Sequence, residues 1–205
     1  MFLSLLARLL LVAGLGTLGG GPPHASRAAQ AEVRGMVYWQ AQRPLRWGDF
    51  RARTCPVQTR AGERALGACV ATGIAVLPCA DARGRGTFQV ASYLDPSHSW
   101  VRDSASFANR LTLAHEQVHF DINELYARQI RALVASYYRA GRYPFTAELH
   151  GRIAELLVAK TTCNNRFDAE VAADSIGGSV TRWQATVQQQ LLDLAAYGAE
   201  ASTCR

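Results

Sequence analysis

The stretch Leu113-Ala114-His115-Glu116-Gln117-Val118-His119-Phe120 lies inside a run from about Phe107 to Arg139 whose apolar residues recur at spacings of three and four, with no internal Gly or Pro. That period predicts one long helix, ended by Gly141 and Pro144. On a helix, residues four apart stand one turn above each other on the same face, so the imidazoles of His115 and His119 can reach one metal ion. Glu116, next to the first imidazole, projects beside that ion rather than onto it, where its carboxylate can take a proton from the attacking water. Hydrolysis of a peptide needs all three groups. The carbonyl is a poor electrophile and water a poor nucleophile, and Zn²⁺ addresses both by polarising the first and acidifying the second. With five His and eight Glu among 205 residues, a chance HExxH is expected on the order of 0.005 times in such a chain, so accident is a weak explanation.

Carried along the same helix at about 100° per residue, the stripe that holds the two histidines also takes Ile122, Asn123, Tyr126 and Ile130. Asn123 is a candidate partner for the free N–H of a ligating imidazole. Asp121 points roughly opposite, toward a surface or inter-helix pair with arginines further along. A catalytic zinc takes a third protein ligand and keeps one position open. The extended pattern HExxHxxGxxH is absent, because Ile122 and Leu125 stand at its Gly and His positions. His98 and His150 are the other histidines beyond the leader, and FDAEVAADSIGG downstream offers Asp168, Glu170 and Asp174. Asp174 is the first choice, since it precedes a glycine pair that lets backbones approach closely; Asp168 and Glu170 follow.

Outward from this helix, the chain divides in two. From Glu32 to about Trp100 it reads as short strands, VRGMVYW, CVATGIAVLPC and GTFQVASYL, and the glycine-rich ADARGRG between the last two predicts an antiparallel hairpin. Beyond the long helix, a second runs from about Thr146, its cap, to Lys160. A third is expected from about Asn165 to Ala196, bent or broken at Gly177 and Gly178. The expected fold is α+β, a small antiparallel sheet packed on a group of three helices, in one domain over 32–205.

Residues 1–31 have the layout of a signal peptide, an apolar run followed by small residues, with Ala29-Gln30-Ala31 suited to cleavage before Glu32. An uncleaved anchor is the alternative, but the apolar stretch after Arg8 is short for a bilayer span. The expectation is therefore an exported protein, secreted or periplasmic, with no stable membrane association once cleaved. The net charge is +6, yet the basic residues are scattered and Lys160 is the only lysine. Nothing resembles a nucleic-acid-binding stripe. Cys55, Cys69, Cys79, Cys163 and Cys204 contain no CxxC pair, and in an exported chain they suggest disulfides. Cys163 with Cys204 would clip the tail back, and two of the other three would pair.

Several segments together resemble a bacterial family, a domain of unknown function described as predicted secreted zinc-dependent proteases. These are Leu45-Arg46-Trp47-Gly48-Asp49-Phe50, Ser99-Trp100-Val101, His115-Glu116-Gln117-Val118-His119-Phe120-Asp121-Ile122, and the downstream Phe167-Asp168 and Trp183. The resemblance spans nearly the whole chain after the leader. It implies an exported protein with a small sheet packed on helices and a zincin-like site, in which His115 and His119 are ligands and Glu116 is the base. The family's downstream helix carries Tyr-Asp and then Thr-x-His-Gly. Here Phe167-Asp168 is followed by Val171-Ala172-Ala173-Asp174, so Ala173 stands at the histidine position. Either Asp174 substitutes, or the family's ligand is Asp168, or this chain binds metal poorly.

The function expected from all this is a zinc-dependent hydrolase, a peptidase acting on a peptide or protein substrate. An extended substrate would add to a sheet edge by main-chain hydrogen bonds, with GTFQVASYL as the edge strand and Tyr93, Trp100 and Tyr126 lining the cleft. The alternative is a secreted binding or structural module in which the same groups hold metal and cleave nothing.

Overall fold

The computed structural model describes residues 35–54, 67–81, 83–103, 109–142 and 145–198. The expected leader, Cys55 and Cys204 lie outside them. The elements are β1 (Val37–Tyr38), β2 (Ala68–Cys69), β3 (Thr72–Ala80), β4 (Gly86–Leu94), β5 (Trp100–Val101), α1 (Asn109–Arg139), α2 (Ala147–Ala173) and α3 (Ser179–Asp193). Two 3-10 turns, Trp47–Asp49 and Ala195–Tyr197, complete the set. The class is α+β, with a small antiparallel sheet and three helices.

The expected hairpin forms between β3 and β4, in register from Thr72 opposite Leu94 to Ala80 opposite Gly86. Its turn is shaped by Asp81, whose Oδ1 accepts the backbone N–H groups of Arg83 and Arg85, both at 2.8 Å. Gly84 takes the left-handed conformation there, φ 73°, which a side chain would oppose. The strand order is β1-β4-β3, and β2 pairs with β5 in a separate two-stranded ribbon. The expectation that GTFQVASYL is an edge strand is thus corrected. Val37 and Tyr38 pair with Leu94 and Tyr93 on its second side, which makes β4 central and leaves the two-residue β1 and the nine-residue β3 as the edge strands among the described residues.

Helix α1 is the centre of the molecule, with the sheet against one side and α2 and α3 against the others. Its middle is therefore buried almost all round: Val118, Phe120, Ile122, Leu125, Ala127 and Ile130, and with them Asp121, Asn123, Glu124 and Arg128. Helices that are covered on every face lose the amphipathic stripe, and polar groups on them must find partners in the interior. One apolar cluster gathers Trp39, Leu45, Phe50, Leu94, Val118, Phe120, Phe167, Trp183 and Val187 around the histidine-bearing half of α1. A second joins Val90, Ile130, Val134, Tyr137, Leu149 and Ile153 around the other half.

The second helix starts at the expected cap, Thr146 Oγ1 accepting the N–H of Leu149 at 3.2 Å, but it does not stop at Lys160. It continues through Thr161-Thr162-Cys163-Asn164-Asn165 to Ala173. The polar side chains of that stretch bond to the helix's own carbonyls. Thr161 donates to Leu157 O, Thr162 to Val158 O and Asn164 to Lys160 O, so their competition with the backbone is resolved inside the helix. The break comes at Asp174–Gly178, where Gly177 and Gly178 have φ of 77° and 127°. Cys163, in mid-helix rather than at a helix start, carries a free thiol, so the expected pairing with Cys204 is not formed.

Candidate metal centre

His115 and His119 lie one turn apart on α1, and both present Nε2 to α2. The nitrogens are 3.1 Å from each other. Asp168 Oδ1 lies 3.2 Å from His115 Nε2 and 3.1 Å from His119 Nε2. Among the described residues these are the three that group as metal donors. The set suits zinc by a simple measure: with bonds of about 2.05 Å, two corners of a tetrahedral site are about 3.3 Å apart, close to all three separations. Imidazole and carboxylate are also the donor types that zinc takes. The side chain of Asp168 is 37% exposed and those of His115 and His119 are 23% and 14% exposed, so the cluster opens to solvent on the side of α2.

Each imidazole is held differently. The ring of His115 stacks on Phe167, centroids 4.6 Å apart at 30°, and Phe167 is fully buried against Trp183 as well. His119 is held by a hydrogen bond, Nδ1 to Asn164 Oδ1 at 2.6 Å. Burial works against protonation of His119, but the bond and charge of Asp168, helped by Glu116, outweigh it and hold its pKa up at about 9. Asp168 is itself partly buried, which would raise its pKa, yet the two imidazoles hold it well below the usual carboxylate range.

Glu116 is 4% exposed. Its Oε2 accepts the backbone N–H of Val70 at 2.9 Å, which ties the carboxylate to the link between β2 and β3. That link is itself fixed by Ser99, buried at the start of β5, whose Oγ accepts from Ala71 N and donates to Asp95 O. Burial pushes the carboxyl of Glu116 up, against the lowering influence of His119 and His115. A general base gains from a pKa closer to neutrality than that of a free carboxylate.

Other residues singled out from the sequence have different employments. Asp174, the first-choice third ligand, is not in the cluster, and Asp168, the next choice, is. Asp174 caps the end of α2, and its carboxylate is spent on backbone N–H groups, those of Ile176, Gly177 and Ser179 at 3.1, 2.9 and 2.7 Å. The bonds to Ser179 foremost depress its pKa to about 2. Glu170 pairs with Trp183 Nε1 and Arg166. His98 bonds to Asp95 and Ser97, and His150 packs beside Phe88. Asn123 does not reach the histidines: its Nδ2 bonds to Gly73 O at 2.5 Å and Ser92 Oγ at 3.0 Å, fastening α1 to the hairpin. Asp121, expected at a surface or beside an arginine, is buried and accepts from Trp39 Nε1, Gln117 Nε2 and Gln188 Nε2. Tyr126 lies beside Cys163.

Asn164 was missed from sequence. Its signal was present, an Asn four residues before Asp168, but it has meaning only once the helix is known to run through 161–165.

Comparison of the chain with protein-family models, with curated proteins and with solved structures finds no match in any of the three.

Proposed function

We propose that the chain is an exported, zincin-like zinc hydrolase that cleaves peptide bonds, with His115, His119 and Asp168 as ligands and Glu116 as the general base. The observation that carries this is the convergence of three donor atoms, from two helices, to within 3.1 to 3.2 Å of one another next to a buried carboxylate on the same helix. Zinc bound there would polarise a substrate carbonyl and make water a usable nucleophile near neutral pH. The protein's own share is positional. Val70 N–H holds one oxygen of Glu116 and leaves Oε1 to take the proton from the attacking water and hand it on to the leaving amine. Phe167 fixes the plane of His115, and the solvent-facing side of Asp168 leaves an approach for substrate. The open edge of β3 is the candidate strand for an extended peptide. Export is part of the same proposal and rests on the apolar leader; among the described residues no helix is long and apolar enough to cross a membrane.

One observation favours the non-catalytic alternative: Glu116 is buried and hydrogen-bonded as a structural carboxylate would be. Glu116→Gln separates the two, since the amide oxygen keeps the bond to Val70. For the hydrolase, purified protein holds one zinc per chain, and the variant keeps zinc and melting temperature while peptide hydrolysis falls about 10²- to 10⁴-fold, the range for loss of a general base. A fall in melting temperature, with no hydrolysis by the parent protein on a peptide library, supports the module instead.

A further inference from the structure

We infer that Asn164 is the positioning residue of this centre, fixing which nitrogen of His119 faces the metal by holding the ring proton on Nδ1. The inference rests on the metal-binding reading above and adds to it a residue outside the HExxH pattern.

The direction of the amide decides the matter. Asn164 Nδ2 donates to the carbonyl of Lys160, one turn back on α2, at 3.0 Å. With the nitrogen so engaged, the atom 2.6 Å from His119 Nδ1 is the carbonyl oxygen Oδ1. A carbonyl oxygen only accepts, so Nδ1 must carry the hydrogen. In the neutral ring the lone pair is then on Nε2, the atom that meets His115 Nε2 and Asp168 Oδ1 at 3.1 Å each. Without this clamp the two tautomers of imidazole exchange freely, and the rings with the proton on Nε2 would offer an N–H to the metal instead of a lone pair.

The clamp is also built on the right element. Asn164 and Asp168 are one turn apart on α2, as His115 and His119 are on α1, so a single helix face delivers both the third ligand and the orienting group. Their spacing is set by helix pitch and not by a loop. His115 is held by other means, its ring positioned by the stack on Phe167. The two ligands on α1 should therefore respond differently to changes in α2.

The test uses the whole exported chain with Zn²⁺ as the probe, its affinity measured by competition with a chromophoric chelator. Long-range ¹H–¹⁵N correlation spectra of the zinc-loaded protein report the state of each histidine ring. The expected result for the parent protein is His119 bound through Nε2 with its proton on Nδ1. Asn164→Leu should weaken zinc binding about 10- to 100-fold, the usual cost of losing an outer partner of a ligating histidine, while the metal-free protein keeps its melting temperature. Asn164→Asp, which retains an acceptor in the same place, should bind zinc at least as tightly as the parent. A parent His119 coordinated through Nδ1, a leucine variant with undiminished affinity, or an aspartate variant as weak as the leucine one would each overturn the assignment. If the leucine variant fails to fold, the parent spectrum and the aspartate variant still decide. A parent protein that takes up no zinc at all instead removes the metal-binding reading itself, and is seen before any Asn164 variant is made.

Discussion

Asp168 and Asp174 belong to the same acidic stretch, and their surroundings give them opposite work. Asp168 faces two imidazoles across the α1–α2 contact, whereas Asp174 is consumed by three backbone N–H groups of the turn into α3. Asp168→Ala should therefore abolish stoichiometric zinc in a metal assay, lowering affinity by more than the roughly 10- to 100-fold typical of an outer partner. Asp174→Asn should leave zinc content unchanged and instead alter acid sensitivity. The folded-state pKa of Asp174, about 2, is below its ordinary value of 3.8. It therefore contributes stability above pH 3.8 that is lost as the pH falls toward about 2. Thermal melts across that window should show a smaller acid-induced loss in the variant than in the parent. At this scale the motif on α1 was legible, because four-residue spacing on a long uninterrupted helix has one geometric outcome. The choice among three downstream carboxylates was not. It depends on which face of α2 meets α1 and where that helix ends.

The elements were partly legible. The β3–β4 hairpin follows from a glycine-bearing turn between two apolar runs, and the Thr146 cap is where sequence puts it. The extent of α2 was misread because Thr161-Thr162-Cys163-Asn164-Asn165 looks like a break, whereas its polar side chains turn back onto the carbonyls of Leu157, Val158 and Lys160 and the helix runs on. That error hid Asn164. Asn123 was read as a partner of the histidines because a helical wheel shows only one face at a time; on a helix covered from all sides, a neighbouring residue serves a different neighbour. Its amide bridges to both strands of the hairpin. Asn123→Ala leaves the carbonyl of Gly73 and the hydroxyl of Ser92 without this donor, so chemical denaturation should show a loss of about 1–3 kcal/mol. Zinc stoichiometry should not change, whereas a direct role at the histidines would lower it.

Across the whole molecule, the far half of α1 is locked by a buried ionic cluster that no local pattern foretells, since its members come together only after packing. Glu124, fully buried, accepts from Arg128 Nε at 3.0 Å and Arg131 Nη1 at 2.9 Å. The same two guanidinium groups reach the carbonyls of Leu191, Tyr197 and Val90. One charged knot thus fastens α1 to β4, to the end of α3 and to the closing turn. Glu124→Gln leaves two arginines without their counter-charge in the interior, and equilibrium unfolding should show a loss of about 3–5 kcal/mol. The site, at the opposite half of the helix, should keep its zinc in whatever fraction remains folded.

The cluster of donors draws on residues far apart in the chain: His119 and Asp168 are separated by 49 positions, and the whole of the α1–α2 connection lies between them. An ion gripping both would therefore act as a reversible cross-link closing that long excursion, a counterpart of a disulfide made and unmade by metal supply. Because such a link favours only the folded chain, resistance to heat would climb with the logarithm of free zinc once the site is saturated. A protein released into a zinc-poor medium would then slacken along the helical hairpin first, exposing it to neighbouring proteases.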